Sequence, residues 1–470
     1  MRPDTGFSRV AMFIAASCIA WSASAHDAAL TAAAQAAAPE ARAPAAQPAT
    51  VFGNVRVFDG TSTTLTGPRY VLVRGNRIER ISATPLAAPG ARMIDGTGKV
   101  LMPGLIDAHW HTMMAAPPLS AILGGDERYL TAIAAAESTR TLMRGFTSVR
   151  DVGGNAFGVK QAVDEGVLPG PRIYPSGAMI SVTSGHGDFR QAGDLPRTMG
   201  VPGPTDLDGD TAIADSPDEV RMRVREQLMR GAAQIKLTAG GGVSSPHSPL
   251  DAVTFTPAEL RAATEAAGNW GSYVTVHAYT AEAVRQAIEA GVKVIEHGSL
   301  MDEDTARLMQ REGIWLSIQP FPDALAEAFA PGSFERQKAE EVFAGNNHAY
   351  ELAKKHRLKT AWGTDVLFSA ALATQQGAIL ASLTQWYTPG EALVMATGAN
   401  GELLQLSGKR NPYPGKVGVV EEGALADLLL VDGDPLADIS LVTRPEQSFK
   451  VIMKDGVIYK NTLAEASLLE

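Results

Sequence analysis

The middle of this chain alternates short apolar runs with helical patterns, and this alternation limits the folds open to it more than any other feature. Pro257–Ala267 follows Thr256, and Ala281–Ala290 ends before Gly291. Threonine before proline favours a helix start, and glycine favours a helix end. Strands that alternate with helices predict a parallel sheet covered by helices. The candidate strands are Val100–Asp107, Ser148–Val152, Arg172–Ile180, Gln234–Thr238, Tyr273–Ala278, Val292–Glu296, Trp315–Gln319 and Lys359–Gly363.

These eight candidate strands and their helices predict an α/β fold, a (β/α)8 TIM barrel over residues 101–409. A doubly wound open sheet is the alternative, but no Gly-x-Gly-x-x-Gly or P-loop pattern accompanies the strands. β-Rich runs with hairpin signals at Gly75-Asn76 and Asp455-Gly456 lie near opposite ends of the chain. They predict one small β-sandwich domain built from residues 51–100 and 410–465.

The N-terminal segment has the pattern of an export signal. Two arginines precede an apolar run over residues 10–21, and small residues at 23–25 fit a cleavage site. We expect a signal peptide over 1–25, an Ala/Pro-rich tether over 26–50, and a mature protein that is periplasmic or secreted. The run is short for a bilayer span, so no membrane attachment is expected after cleavage. Lipidation of Cys18, the only cysteine, remains an open alternative.

The charge balance excludes some partners. The formal net charge is -10, and the sequence contains no block of lysine and arginine. Such a chain is poorly suited to nucleic acid or to an anionic membrane surface. A small-molecule or dipeptide substrate remains the expected partner, and homo-oligomerisation is left open.

A His-x-His pair gives the strongest chemical signal. His109 and His111 end the first candidate barrel strand, and alternation along a strand points residues two apart to the same side. Two imidazoles on one side suit zinc and similar divalent metals. Two ordinary surface histidines are the alternative for this pair considered alone.

Other potential metal ligands follow later strands. His277 ends the fifth candidate strand, His297 the sixth, and Asp365 follows the eighth. In a barrel the carboxyl ends of all strands meet at one rim, where active sites lie. A core histidine with its own hydrogen bonds explains any one of these residues, but explains the whole set poorly.

Lys236 lies in the apolar strand Gln234–Thr238. A buried ammonium tends to lose its charge, and a neutral amine can react with carbon dioxide. The resulting carbamate resembles a carboxylate and can bridge two cations. The alternative is a lysine whose ammonium reaches solvent at the barrel mouth.

In this order, His-x-His, Lys, His, His and Asp, the chain resembles the binuclear amidohydrolase superfamily. Leu101–His109 looks like the first-strand motif of that superfamily, and Gly423–Leu428 and Asp432–Leu436 look like the return to its β-sandwich. The likeness covers about residues 51 to 465. The chain is most similar to the imidazolonepropionase-like branch, which contains Xaa-Pro and Xaa-Arg dipeptidases and bacterial ochratoxin A amidohydrolases. Segments that support this branch are Arg150–Gly154, Ser184–Asp188, Lys236–Gly242 and His277–Tyr279.

This resemblance implies a binuclear hydrolase of amide bonds in dipeptides or N-acyl amino acids that carry a free carboxylate, with ochratoxin A a plausible substrate. The cofactors would be two divalent metal ions, zinc the expected metal. His109, His111 and Asp365 would bind one ion, His277 and His297 the other, and carbamylated Lys236 would bridge them. Lys236 departs from imidazolonepropionase itself, which is a single-metal enzyme without a bridging lysine.

Catalysis and substrate binding involve further candidates. Asp365 is expected to take the proton of a metal-bound water and pass it to the leaving amine. Tyr279, His186 and His247 are candidate substrate-binding residues, and Tyr279 and His186 are also candidate catalytic residues. Each has a plain alternative, as an aromatic rim residue or as a loop histidine. Hydrolysis of cyclic amides or esters, and a periplasmic binding protein without turnover, are the competing functions.

Overall fold

Runs of buried apolar residues supply the strands that position the site. The computed structural model describes residues 49–191, 193–195, 197–321 and 329–463. The predicted signal peptide, Cys18 and the predicted tether up to residue 48 lie outside the described residues. Among the helices that are described, none has the length and apolar character needed to cross a bilayer.

Within those ranges, the central segment is a mixed α/β fold with parallel sheets. One sheet has three strands in the order β6-β7-β8, and the other has seven in the order β10-β9-β11-β12-β13-β14-β15. Neighbouring strands in both sheets run parallel. The strands are β6 (Leu105–Trp110), β7 (Phe146–Asp151), β8 (Arg172–Pro175), β9 (Met179–Ser181), β10 (Thr211–Ile213), β11 (Ile235–Thr238), β12 (Val274–Thr280), β13 (Val294–Leu300), β14 (Trp315–Ile318) and β15 (Lys359–Trp362).

Helices follow most of these strands. The helix Pro257–Asn269 begins with a capping box, in which the Thr256 and Glu259 side chains each bond the backbone of the other residue. This confirms the predicted start at Pro257, and Gly291, with φ 94°, follows the helix Ala281–Glu289 as predicted. The other described α-helices are Leu119–Gly124, Glu127–Met143, Phe157–Asp164, Pro204–Asp208, Pro217–Met229, Glu303–Glu312, Phe334–Lys355, Ala370–Ala373, Gln376–Ala381, Pro389–Val394, Asn400–Leu404 and Pro445–Ser448.

A third sheet joins both ends of the described chain. Its order is β18-β17-β16-β5-β1-β2-β3, and β4 also pairs with β1. Both predicted hairpins are confirmed, because β2 pairs with β3 around Gly75 and β17 pairs with β18 around Gly456. The strands are β1 (Ala49–Val57), β2 (Arg69–Arg74), β3 (Arg77–Ser82), β4 (Arg92–Asp95), β5 (Val100–Pro103), β16 (Leu428–Val431), β17 (Phe449–Lys454) and β18 (Val457–Asn461).

Two predicted strands are each divided by a glycine. Val100–Asp107 splits at Gly104 into β5 of the terminal sheet and β6 of a parallel sheet. A Cβ at Gly104 would lie 2.0 Å from the Thr147 hydroxyl oxygen, so only glycine lets the strands approach there. Arg172–Ile180 splits at Gly177, whose φ is 72°, so β8 and β9 belong to different sheets. In both cases one predicted strand therefore concealed a change of sheet.

A buried ion cluster links the terminal sheet to the parallel strand β8. The Arg172 guanidinium donates to Asp427 at 2.9 and 3.2 Å and to Asp455 at 2.6 Å. Arg172 is 5 % exposed and Asp427 is 2 % exposed, so neither charge is well hydrated. Each charge therefore depends on the other for its compensation.

We expect Arg172→Met to lower the apparent free energy of unfolding by about 3–5 kcal/mol, because the Asp427 carboxylate would stay buried without its partner. Denaturant unfolding followed by circular dichroism measures the change. Arg128→Met is the matched control, since the Arg128 side chain is 93 % exposed beside Asp126. Equal stability of the two variants would contradict the structural role of Arg172.

Candidate active site

The carboxyl ends of the parallel strands deliver the predicted ligand residues to one cavity. His109 lies in β6 and His111 just after it, Lys236 lies in β11, and His277 and His297 lie in β12 and β13. Asp365 follows β15. The cavity has a volume of about 650 Å³ and is lined by all six of these residues. Parallel strands separated in sequence by more than two hundred residues thus share one site.

Asp365 joins the two histidines of the His-x-His pair. Its Oδ1 lies 3.3 Å from His109 Nε2 and 3.2 Å from His111 Nε2, and its backbone N–H donates to the His109 carbonyl at 2.9 Å. The Asp365 backbone has φ 51°, a left-handed conformation that costs energy for a non-glycine residue. Burial opposes its ionisation, but the charge and hydrogen bond of His109 outweigh burial and hold the pKa of Asp365 well below its usual value.

Partners outside the cavity orient the imidazoles. His109 Nδ1 lies 2.9 Å from a Glu296 carboxylate oxygen, and His111 Nδ1 lies 3.0 Å from the Gly153 carbonyl. His277 Nε2 lies 2.8 Å from the Gly241 carbonyl. A ring nitrogen engaged in this way fixes the tautomer and leaves the other nitrogen free to bind a ligand.

His297 has a buried ring nitrogen, Nδ1, that lacks a hydrogen-bond partner among the described residues. Ligand atoms of His109, His297 and Asp365 lie within 4.8 Å of one another. A buried nitrogen without a partner is costly, and a divalent metal ion at this cluster would remove that cost. The donor set therefore fits a metal site.

Glu296 and Arg150 form a buried network behind the site that the sequence analysis did not single out. Glu296 is fully buried and bonds the Arg150 guanidinium and the Thr275 hydroxyl as well as His109. Arg150 Nε donates to the Ala108 carbonyl at 2.6 Å. Burial opposes ionisation of Glu296, but Arg150 and His109 hold its pKa well below the usual value. A charged residue inside the apolar strand beside His297 was the available signal.

Lys236 lies in the same buried environment. It is 2 % exposed and lines the cavity. Burial lowers the pKa of Lys236 to about 8, although the carboxylates of Glu296 and Asp365 favour its charged form. The amine is therefore neutral in an appreciable fraction of molecules near neutral pH.

The predicted substrate-binding residues divide into two groups. The His186 and Tyr279 rings lie 4.2 and 4.6 Å from the His277 ring, centroid to centroid, and both line the cavity. Burial, aided by the charge of Lys236, lowers the pKa of His186 to about 3, and burial raises the pKa of Tyr279. Both side chains are therefore neutral at pH 7. His247 is different: it is exposed and is not among the described residues that line the cavity.

Apolar side chains form the remaining walls of the cavity. Most of them come from connections after strands and from the helix Phe334–Lys355, where the sequence pattern gave no sign of a shared site. Loop positions do not follow a strand or helix period, so periodicity could not predict which of them face the cavity. The aromatic members are Phe189, Phe321, Phe329, Phe343 and Phe368.

The parallel strands bring four histidines, a lysine and an aspartate to one cavity. Matches to known proteins identify the chain as a hydrolase of amide bonds. The sequence matches the amidohydrolase family over residues 100–459. The chain belongs to this family, in its imidazolonepropionase-like branch.

Similar proteins have related names. Ochratoxinase from Aspergillus niger is 31% identical over 389 residues, which span 77% of this chain and 76% of that protein. The structure of a prolidase in complex with N-methylphosphonate-L-proline is 33% identical, with a TM-score of 0.81, and the match covers 88% of this chain and 100% of that one. The structure of a Xaa-Pro dipeptidase with bound methionine is 29% identical, with a TM-score of 0.76 and coverage of 88% and 100%.

If the cluster binds Zn²⁺, Glu296→Gln should weaken that binding by about 10- to 100-fold, the usual effect of removing a carboxylate that orients a ligating histidine. Metal content after equilibration in zinc-buffered solution measures the change, and circular dichroism checks that the variant is folded. Glu402→Gln is the control, because Glu402 pairs with Lys359 on the surface. Full metal content in Glu296→Gln would show that His109 does not need its carboxylate partner.

Proposed function

We propose that this protein is a binuclear metal-dependent amidohydrolase that cleaves dipeptides or N-acyl amino acids with a free carboxylate. The observation that carries the proposal is the gathering of His109, His111, Lys236, His277, His297 and Asp365 around one cavity. In His109, His111 and His277, one ring nitrogen contacts a carboxylate or carbonyl oxygen of the protein. These contacts support the proposal further, because such partners are typical of ligating histidines.

We further propose that the two parallel sheets form one (β/α)8 barrel over residues 101–409. Two contacts between sheets support closure. The Ala233 N–H, just before β11, donates to the Pro175 carbonyl in β8 at 2.7 Å, and the Asp365 N–H, after β15, donates to the His109 carbonyl in β6. The eight-stranded terminal sheet and its own buried cluster support a β-sandwich domain built from 51–100 and 410–465.

The ligand set divides into two proposed metal sites. His109, His111 and Asp365 would hold one ion, and His277 and His297 the other, with Lys236 as a carbamate between them. Imidazole and carboxylate ligands favour zinc. When bound, two such ions supply an activated water and polarise the amide carbonyl.

The side chains of the chain itself would bind, orient and move protons. Asp365 accepts a proton from the attacking water and returns it to the leaving amine, since its carboxylate stays ionised at neutral pH. Tyr279 keeps its hydroxyl proton and can donate it in a hydrogen bond to the substrate carbonyl or carboxylate. Neutral His186 can act beside it on the same groups.

The aromatic wall of the cavity favours large apolar substrate groups. Five phenylalanines line it, and a ring buried against them removes much apolar area from water. Ochratoxin A joins an aromatic acid to phenylalanine through an amide, so it fits this wall, and the similarity to a protein named ochratoxinase supports it. The prolidase and Xaa-Pro dipeptidase names support a dipeptide substrate instead.

We also propose that the mature protein is periplasmic or secreted.

A library of dipeptides, N-acyl amino acids and ochratoxin A, together with cyclic amides and esters, tests the function. Products read by mass spectrometry would identify amide cleavage and its side-chain preference. Cleavage restricted to cyclic amides or esters would favour that alternative. Tight ligand retention without product, on a protein loaded with zinc, would favour a binding protein.

We expect Asp365→Asn to lose nearly all turnover, with kcat at least about 100-fold below wild type, because an amide cannot accept and return the proton. Its circular dichroism spectrum should stay that of the wild type. Asp304→Asn, at an exposed helix position, is the control and should keep normal kcat. A near-normal kcat in Asp365→Asn would remove this residue from the mechanism.

Carbamylation of Lys236 predicts a signal that does not depend on turnover. Protein equilibrated with ¹³C-bicarbonate and zinc should give a carbamate carbon resonance in ¹³C NMR, and Lys236→Met should not give it. Uptake without metal should rise as pH passes about 8, because the neutral amine is the reacting form. An identical resonance in Lys236→Met would assign the carbamate to another residue.

A further inference from the structure

Lys338 is a buried cation that the proposed reaction does not use. It lies in the first turns of the helix Phe334–Lys355, and the residue is 3 % exposed. Its Nζ donates to the carbonyls of Gly242 at 2.7 Å, Ser245 at 2.8 Å and Ser248 at 3.3 Å. An ammonium has three donors, and here all three engage one loop.

The three carbonyls belong to the connection between β11 and the helix Pro257–Asn269. An ammonium taken from water needs strong compensation, and backbone carbonyls supply it here without a carboxylate among the described salt bridges. Carbonyls from residues 242, 245 and 248 meet at one point only when the loop is folded back on itself. The Gly242 N–H also donates to the Ser248 hydroxyl at 3.1 Å, which closes the same turn. We call residues 241–248 the clamped loop.

The clamped loop touches two histidines of the site. The Ser245 hydroxyl bonds His186 Nδ1 at 2.9 Å and accepts the Gly187 N–H at 2.9 Å. At its other end, the Gly241 carbonyl holds His277 Nε2. A Cβ at Gly242 would lie 2.0 Å from His186 Nδ1, so the loop backbone packs directly on that ring.

The helix that carries Lys338 is fixed to the parallel sheet by a separate contact. The buried Asn346 donates to the Gln319 carbonyl at 2.9 Å and accepts the Ser299 hydroxyl at 2.6 Å. Gln319 follows β14, and Ser299 lies in β13. The ammonium is therefore held on a rigid base, and the loop is positioned against it.

We propose that Lys338 is a positioning residue, whose ammonium fixes the clamped loop so that His186 and His277 face the reacting atoms. The proposal deepens the proposed function and rests on it for its kinetic part. The loop supplies the bond to His186 and the carbonyl that fixes the His277 tautomer. Without the ammonium, three carbonyls lose their donors and the loop has other conformations open to it.

Lys338→Met tests this, because methionine keeps the apolar stem and removes the donors. In zinc-loaded full-length protein, we expect amide hydrogen exchange at residues 241–248 to speed up by about tenfold or more, with kcat/KM falling about 10- to 100-fold, as when a histidine loses its orienting partner. Arg336→Met, on the same helix turn and paired only with Glu340 among the described salt bridges, is the matched control. It should leave both quantities unchanged.

The location of the faster amide hydrogen exchange distinguishes a positioning role of Lys338 from a general loss of stability. Faster exchange confined to 241–248 supports the proposal, and faster exchange spread equally over the parallel strands, or none, overturns it. If the wild type shows no amide hydrolysis, the proposed function fails, but this exchange result still decides the loop contact.

Ser245→Ala provides a second test that keeps the ammonium in place. If Lys338 acts through Ser245 and His186, then adding Lys338→Met to Ser245→Ala should lower kcat/KM much less than Lys338→Met does alone. Losses that simply multiply would overturn this route. If Lys338→Met fails to fold, the same double-variant comparison is made with Lys338→Gln, which shortens the side chain and removes the charge. Losses of Lys338→Gln and Ser245→Ala that multiply would again overturn the route.

Discussion

The cost of burying polar groups is the constraint on which this structure depends. Imidazole, ammonium and carboxylate groups lie at the ends of parallel strands, where they lose most of their contact with bulk water. Glu296 is compensated by Arg150 and His109, and Asp365 is compensated by both histidines of the His-x-His pair. The buried His297 Nδ1 has no partner among the described residues, and His297 belongs to the group whose ligand atoms lie within 4.8 Å of those of His109 and Asp365.

The sequence predicted the strand-bound part of the site because strand ends have a simple rule. Parallel strands end at one edge, so His109, Lys236, His277 and Asp365 could be grouped without knowledge of any distance. The same rule does not predict which buried side chains on different strands contact one another. Arg150 and Glu296 lie on different strands, and only the packed fold shows that they form a pair. The buried position of Lys338 could not be predicted from the sequence, because a lysine on a polar helix is normally a solvated side chain.

The divided strands show a second limit of sequence patterns. Hydrophobicity reports that a segment is buried, but it does not report which sheet buries it. At Gly104 the chain leaves the terminal sheet and enters the parallel one without any break in the apolar run. The informative residue was the glycine itself, whose lack of a side chain allows Thr147 to approach. A glycine in an apolar strand is therefore better interpreted as a close approach of backbone than as a weak strand position.

Residues that would hold metal ions and residues that would select the substrate lie on different parts of the fold. Groups that would hold metal ions lie on or next to strands. Glu296 in β13 fixes His109, whereas the carbonyls that engage His111 and His277 follow directly after strands. Groups that would meet the substrate, such as His186 and Phe189, lie on the long connection after β9 and are fixed by contacts with other loops. Loop contacts of this kind can change without disturbing the strands. A family with this arrangement can keep one hydrolytic reaction while relatives differ in the amides they accept, because a change in a loop that holds no ligand histidine alters the wall of the cavity and leaves the ligands in place.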